Sequence, residues 1–177
     1  DSHALVDFQT RNVPLPDVHE LAAGKLAAML ARGQARDLFD CYQILTMKGI
    51  DRERLRLAFV VYGGMNRKDW RTVSIADLDF DPDELTRLLI PTLNRRVVEK
   101  QGSPAEYGER LIRECQSKLK AVLPFNDPER KFLDLLLEKG EIDASLLTPD
   151  EALQKRIQSQ PLLQWKALNV KRHKELA

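Results

Sequence analysis

Cysteine is scarce in this chain. Cys41 and Cys115 are its only two among 177 residues, too few for a disulfide framework or a four-ligand zinc site. The three histidines, His3, His19 and His173, share no spacing suited to zinc or to a catalytic triad. No apolar run approaches the ~20 residues needed to span a bilayer, so no membrane partner is expected. Neither sign of charge dominates: 28 basic against 27 acidic residues leave a net charge of +1. That is not the excess of a nucleic-acid-coating protein, nor does it include an acidic tail. A glycine-rich phosphate loop is missing too, because Gly63-Gly64 lacks the following Lys-Ser/Thr. The chain carries no initiating Met and no signal peptide, as expected if it starts inside a longer protein or has lost its beginning. What remains is 43% apolar and 31% charged residues, the composition of a globular chain of one domain or a helical domain with a short appendage.

Helix punctuation fills that chain. Asp81-Pro82, Ser103-Pro104, Asp127-Pro128 and Thr148-Pro149 each place a capping residue beside a proline, which suits the first helical position because its missing N–H would have no partner there. Ser103…Glu106, Thr148…Glu151 and Asp17…Glu20 have capping-box spacing. Gly33, Gly49, Gly63-Gly64 and Gly140 read as stops. These signals predict helices over 17–32, 35–48, 51–62, 82–99, 104–122, 127–139, 149–159 and 161–173. Strand candidates are LVDFQTRNVPLP, ended by Pro14 and Pro16, and Thr72–Ile75. The first reads either as an extended lead-in or as the last strand of a sheet lying upstream. The fold class is therefore mainly α, a multi-helix bundle with at most a short N-terminal strand.

The first helix contains an anomaly. At 100° per residue, Val18, Leu21, Ala22, Leu26 and Met29 form one apolar stripe. Lys25 falls in the middle of it and Arg32 on the same side two turns on. An ammonium facing a core is costly unless an anion meets it. Lys25 either snorkels or pairs with a carboxylate, or it lines a cleft for an anionic ligand together with Arg32. The second helix opens with Arg36, Asp37 and Asp40, carboxylates that the helix dipole favours. Leu38, Cys41, Tyr42 and Leu45 form its apolar face, so Asp37 and Asp40 lie at the margin, toward the first helix. Lys25 is expected near one of them.

Elsewhere the bland readings prevail. His19 reads as exposed and Cys41 as a buried, inert thiol. Asp77-Leu78-Asp79 resembles a metal motif, but a helix start at Asp81-Pro82-Asp83-Glu84 explains the local acidity. Trp165 with Lys166, Lys171, Arg172 and Lys174 reads as a solvated terminal helix anchored by one Trp. Its alternative is an RNA contact by charge and stacking.

The run ELAAGKLAAMLARGQARDLFDCYQIL resembles the signature of the AbiEii/AbiGii toxin family of nucleotidyltransferases, E-L-x-A-x-K-L-x-A-x-x-x-R followed by a turn and R-D-[LY]-[FY]-D. Glu20-Leu21, Lys25-Leu26, Ala28, Arg32 and Arg36-Asp37-Leu38-Phe39-Asp40 occupy the matching positions. VPLPDVHEL resembles the family's entry into that helix. RIQSQPLLQWKALNV resembles a C-terminal segment of some members, R-I-x-x-x-P-x-L-x-W-K-x-x-N.

The resemblance implies the helical C-terminal part of a polymerase-β-like nucleotidyltransferase. Residues 1–48 would end the nucleotidyltransferase core and residues 49–177 would form a C-terminal helical domain. It further implies Lys25 on the triphosphate and Asp37 as the third acidic residue of the catalytic site. Arg32 and Arg36 would contact the nucleotide and Asp40 would support them. The family's metal motif, Gly-Ser or Gly-Gly…Asp-x-Asp, belongs upstream, so no metal ligand is assigned in this chain and the segment alone is expected to be inactive. The full-length protein would use Mg²⁺ and an NTP, neither held tightly by this segment. The implied setting is a cytoplasmic toxin–antitoxin or phage-defence system, with a cognate antitoxin as a partner and tRNA as a candidate acceptor. The rival expectation is a non-catalytic helical interaction or RNA-contacting module.

Overall fold

Capping chemistry sets where the helices begin. Asp17 accepts from the His19 N–H and opens α1 (Val18–Arg32), and Asp51 accepts from the Arg54 N–H and opens α3 (Arg52–Gly64). Between them lies α2 (Ala35–Thr46), set off by left-handed Gly33 and Gly49. A computed structural model describes residues 13, 15–93, 98 and 102–175. The remaining helices are α4 (Pro82–Glu84), α5 (Pro104–Leu119), α6 (Asp127–Asp134), α7 (Glu151–Gln158) and α8 (Pro161–Glu175). The fold is mainly α, and no strand occurs among the described residues.

Several local expectations change. The LVDFQTRNVPLP strand candidate falls almost wholly outside the described residues. Thr72–Ile75 is no strand: it joins the 3₁₀ turns Trp70–Thr72 and Ile75–Asp77, nucleated by Asp69 on the Arg71 N–H and by Asp77 on the Ser74 N–H. The helix expected over 82–99 starts at Asp81 as foreseen, but α4 passes into a π turn at Leu85–Leu89 and a 3₁₀ turn at Ile90–Thr92. Pro91 explains the break, since it has no N–H and crowds the preceding turn. The Ser103…Glu106 capping box forms. The helix expected from 127 opens there, though Asn126 and not Asp127 caps it and boxes with Glu129, while α7 opens at Glu151 instead of 149 because Asp150 caps it directly. Asp17 caps α1 without a box, its Glu20 reaching Arg156 instead.

One buried apolar cluster runs from Ala22 on α1 to Ala167 on α8. α1 packs on α3 and α2, α2 on α5, and α8 on the π turn Leu135–Lys139 that continues α6. Phe59 holds the centre, its ring 5.4 Å from Trp70 and 6.0 Å from Phe125. α3 ends at Gly64, close to the expected stop, but Gly63 and Gly64 are its last helical residues and neither takes a left-handed turn. A Cβ on Gly63 would lie 1.8 Å from Trp70 Nε1, and one on Gly64 2.8 Å from Leu136. These glycines are present for close packing. A clamp closes the far side: Arg56 donates to both Glu129 oxygens at 2.6 and 2.7 Å and to the Pro124 carbonyl at 2.6 Å.

Candidate functional site

The α1–α2 hairpin brings four of the five charged candidates into pairs. Gly33, with φ 66°, ends α1 and lets Gln34 start α2 beside it. The buried side of α1 is Ala22, Ala23, Leu26, Ala27, Met29 and Leu30, while Val18 and Leu21 stay 37% and 52% exposed. The apolar stripe is thus rotated relative to the expected one, and Lys25 lies at its margin instead of its middle. That placement removes most of the desolvation cost foreseen for its ammonium.

Lys25 Nζ donates to Asp40 Oδ2 at 2.7 Å, with the two side chains 41% and 33% exposed. Arg32 grips Asp37 bidentately, Nε to Oδ2 at 3.2 Å and Nη2 to Oδ1 at 3.1 Å. Asp37 is buried, its side chain 5% exposed, while Arg32 remains 56% exposed. A planar guanidinium matches both carboxylate oxygens, so Arg32 neutralises a carboxylate inside the hairpin and still presents one edge to solvent. Arg36 is exposed and forms no ion pair among the described residues. Lys25, Arg32 and Arg36 therefore offer three accessible cations within one hairpin. A polyanion meeting them would compete with Asp40 more easily than with Asp37.

Neighbouring groups stay out of the chemistry. Burial pushes the Cys41 thiol far up, helped by Cys115, Asp37 and Asp40, and burial pushes Cys115 up to about 12. Neither is a nucleophile at neutral pH. Asp77 pairs with Lys68 at 3.0 Å, and that pair holds its carboxyl below the usual range. Asp79 accepts from the Phe80 N–H. Both are structural. Among the described residues, no three His, Cys, Asp or Glu side chains gather to hold a metal ion.

Two residues here escaped sequence reasoning. His19 is 6% exposed, not exposed as expected. Its Nε2 accepts from the Asp51 N–H at 2.9 Å, which leaves Nδ1 to donate to Asp17 at 2.7 Å. It joins the first turn of α1 to the start of α3. Glu84, from α4, accepts from the Ala35 N–H at the start of α2 at 3.2 Å. No local pattern signals either contact, because the partners lie 32 and 49 residues away.

A family model described as nucleotidyl transferase AbiEii toxin, type IV toxin–antitoxin system, matches residues 1–167. The chain belongs to the AbiEii nucleotidyltransferase toxin family. No curated protein and no solved structure matches it. The family match spans the first resembling segment, the middle of the chain and the second segment as far as Ala167. In the C-terminal segment two motif residues, Ile157 and Leu163, are buried, and Lys166 donates to the Asn66 carbonyl at 2.8 Å. Trp165 is not the expected anchor of α8. It is 57% exposed, and Leu163 and Ala167 hold the helix down. No described helix is long and apolar enough to cross a membrane.

Proposed function

We propose that the α1–α2 hairpin is the triphosphate-facing wall of a metal-dependent nucleotidyltransferase toxin. The observation that carries this reading is the half-exposed Lys25–Asp40 pair beside the bidentate Arg32–Asp37 pair. Lys25 leaves Asp40 to meet the triphosphate and neutralises charge on the departing pyrophosphate. Arg32 and Arg36 bind the nucleotide's phosphates, Asp40 orients Lys25 before substrate arrives, and Asp37 is the acidic group of the catalytic set. With both oxygens engaged by Arg32, Asp37 does not form a metal site with the described residues. Mg²⁺ belongs to carboxylates outside them in this reading.

Functionally, residues 1–48 close the nucleotidyltransferase core and residues 49–177 form the helical domain behind it, while sharing one apolar core. The protein acts in the cytoplasm, paired with a cognate antitoxin. The exposed Leu162, Trp165 and Leu168 on α8, followed by Lys171, Arg172 and Lys174, favour an RNA acceptor such as tRNA that stacks on Trp165.

Incubating the full-length protein with labelled NTPs, Mg²⁺ and total RNA tests the reading. Transfer to RNA is expected, reduced at least 10²-fold by Lys25→Ala, a loss on the scale of removing one transition-state donor. The 177-residue chain alone should transfer nothing. Full transfer by Lys25→Ala would end the assignment, and transfer by the short chain would end the division of labour.

A further inference from the structure

Helix α2 begins in an unusual way. Its N-cap, Gln34, has the extended backbone of a capping residue but makes no side-chain cap bond. Ala35, the next residue, is 0% exposed, so water cannot reach its amide to replace that bond. A buried N–H without an acceptor is costly, and the acceptor arrives from far along the chain. Glu84, the last residue of α4, receives the Ala35 N–H at 3.2 Å. Leu85 and Leu89, in the π turn that follows, close over Ala35 in a small apolar cluster backed by Phe39 and Phe80. The start of α2 therefore has no local cap and is held by the α4 segment, through one carboxylate and one apolar patch.

The same first turn of α2 carries Arg36 and Asp37. We infer that Glu84 is a positioning residue for the nucleotidyltransferase site. By capping α2 it fixes where the first turn begins, and so the register at which Asp37 meets Arg32 and Arg36 projects from the hairpin. Its negative charge also suits the positive end of the helix. The role needs an acceptor at this point, so a neutral amide should largely replace the carboxylate. A local cap at position 34 should take over the positioning, though not the Ala35 bond, because Asp in an extended N-cap conformation accepts from the second or third amide of the helix and pins the same turn. The inference rests on the α1–α2 hairpin being the nucleotide site.

Nucleotide transfer by the full-length enzyme, with kcat and KM resolved and melting followed in parallel, tests it. Glu84→Ala should lower kcat/KM by about tenfold, an effect of the size of one lost helix cap. Glu84→Gln should retain most activity. Gln34→Asp should be neutral alone and should restore transfer to Glu84→Ala. Undiminished transfer in Glu84→Ala, with Lys25→Ala inactive, overturns the role of Glu84 and leaves the site intact. Activity in Lys25→Ala overturns the site itself. Should Gln34→Asp restore the melting temperature of Glu84→Ala without restoring transfer, Glu84 does not act by positioning α2, and the inference fails.

Discussion

Arg56 and Lys25 are both cations on core-forming helices, and the fold treats them oppositely. Arg56 is enclosed: Glu129 takes two of its N–H groups, and the carbonyls of Ala121 and Pro124 take others. Its side chain is 24% exposed and that of Glu129 8%. Lys25 has one bond among the described residues, to Asp40, and both partners stay open to water. A pair with most of its N–H groups engaged and its carboxylate buried ties α3 to α6, but its charge is spent. A half-exposed pair ties little and keeps its charge available. The contrast separates a cation that holds the fold from one that can meet a ligand.

Removing Glu129 should produce the largest effect. Glu129→Ala strands Arg56 and unties the Asn126 cap, whose N–H also donates to Glu129, so a loss of about 3–5 kcal/mol is expected in urea unfolding. A loss below ~1 kcal/mol would show that the clamp is no stronger than the surface pair. Gly63→Ala comes next, because the new methyl overlaps the Trp70 ring. Overpacking of about 1–3 kcal/mol should appear as a lowered melting temperature and altered tryptophan emission. Lys25→Met should change stability by less than ~1 kcal/mol, since the stem's packing is kept and the lost pair is solvated. A several-kcal/mol loss here would make Lys25 a second Arg56.

The smallest effect concerns the remaining exposed pairs. Hydrogen bonds from Arg71 hold the Asp69 carboxyl below its usual value of 3.8, and Lys68 does the same for Asp77. A carboxylate whose folded value is depressed contributes stability above the unfolded value and loses it as pH falls through the folded one. Melting temperature should therefore decline below about pH 4, and Asp69→Asn or Asp77→Asn should flatten that decline. A decline of unchanged steepness in both variants would show that neither pair contributes.

Much of this was legible because helix starts and stops are local. Ser103…Glu106, Asp81 and Gly33 act within four residues of themselves, where sequence spacing is informative. The Lys25–Asp40 contact was legible for a related reason: a tight turn at Gly33 makes the facing positions of two consecutive helices predictable. The rotation of the α1 stripe was not. Val18 and Leu21 are apolar but exposed, whereas small Ala23 and Ala27 are buried because α3 approaches closely there, and periodicity cannot distinguish a small buried residue from a small exposed one. His19 and Glu84 were illegible for a further reason. Each completes a helix end whose own sequence gives no sign that its capping group comes from elsewhere. Gly63 looked like punctuation because a glycine needed by a neighbouring ring and a glycine needed by a turn are the same letter.

The two tryptophans of the chain occupy opposite environments. Trp70 is wholly enclosed, with an indole nitrogen that finds no acceptor among the described residues, and Trp165 is more than half in water. Their fluorescence should accordingly resolve into a blue, unquenched component and a red one that iodide removes. Loosening of α8 and loss of the core can then be followed separately in a single unlabelled sample, by two colours of intrinsic light.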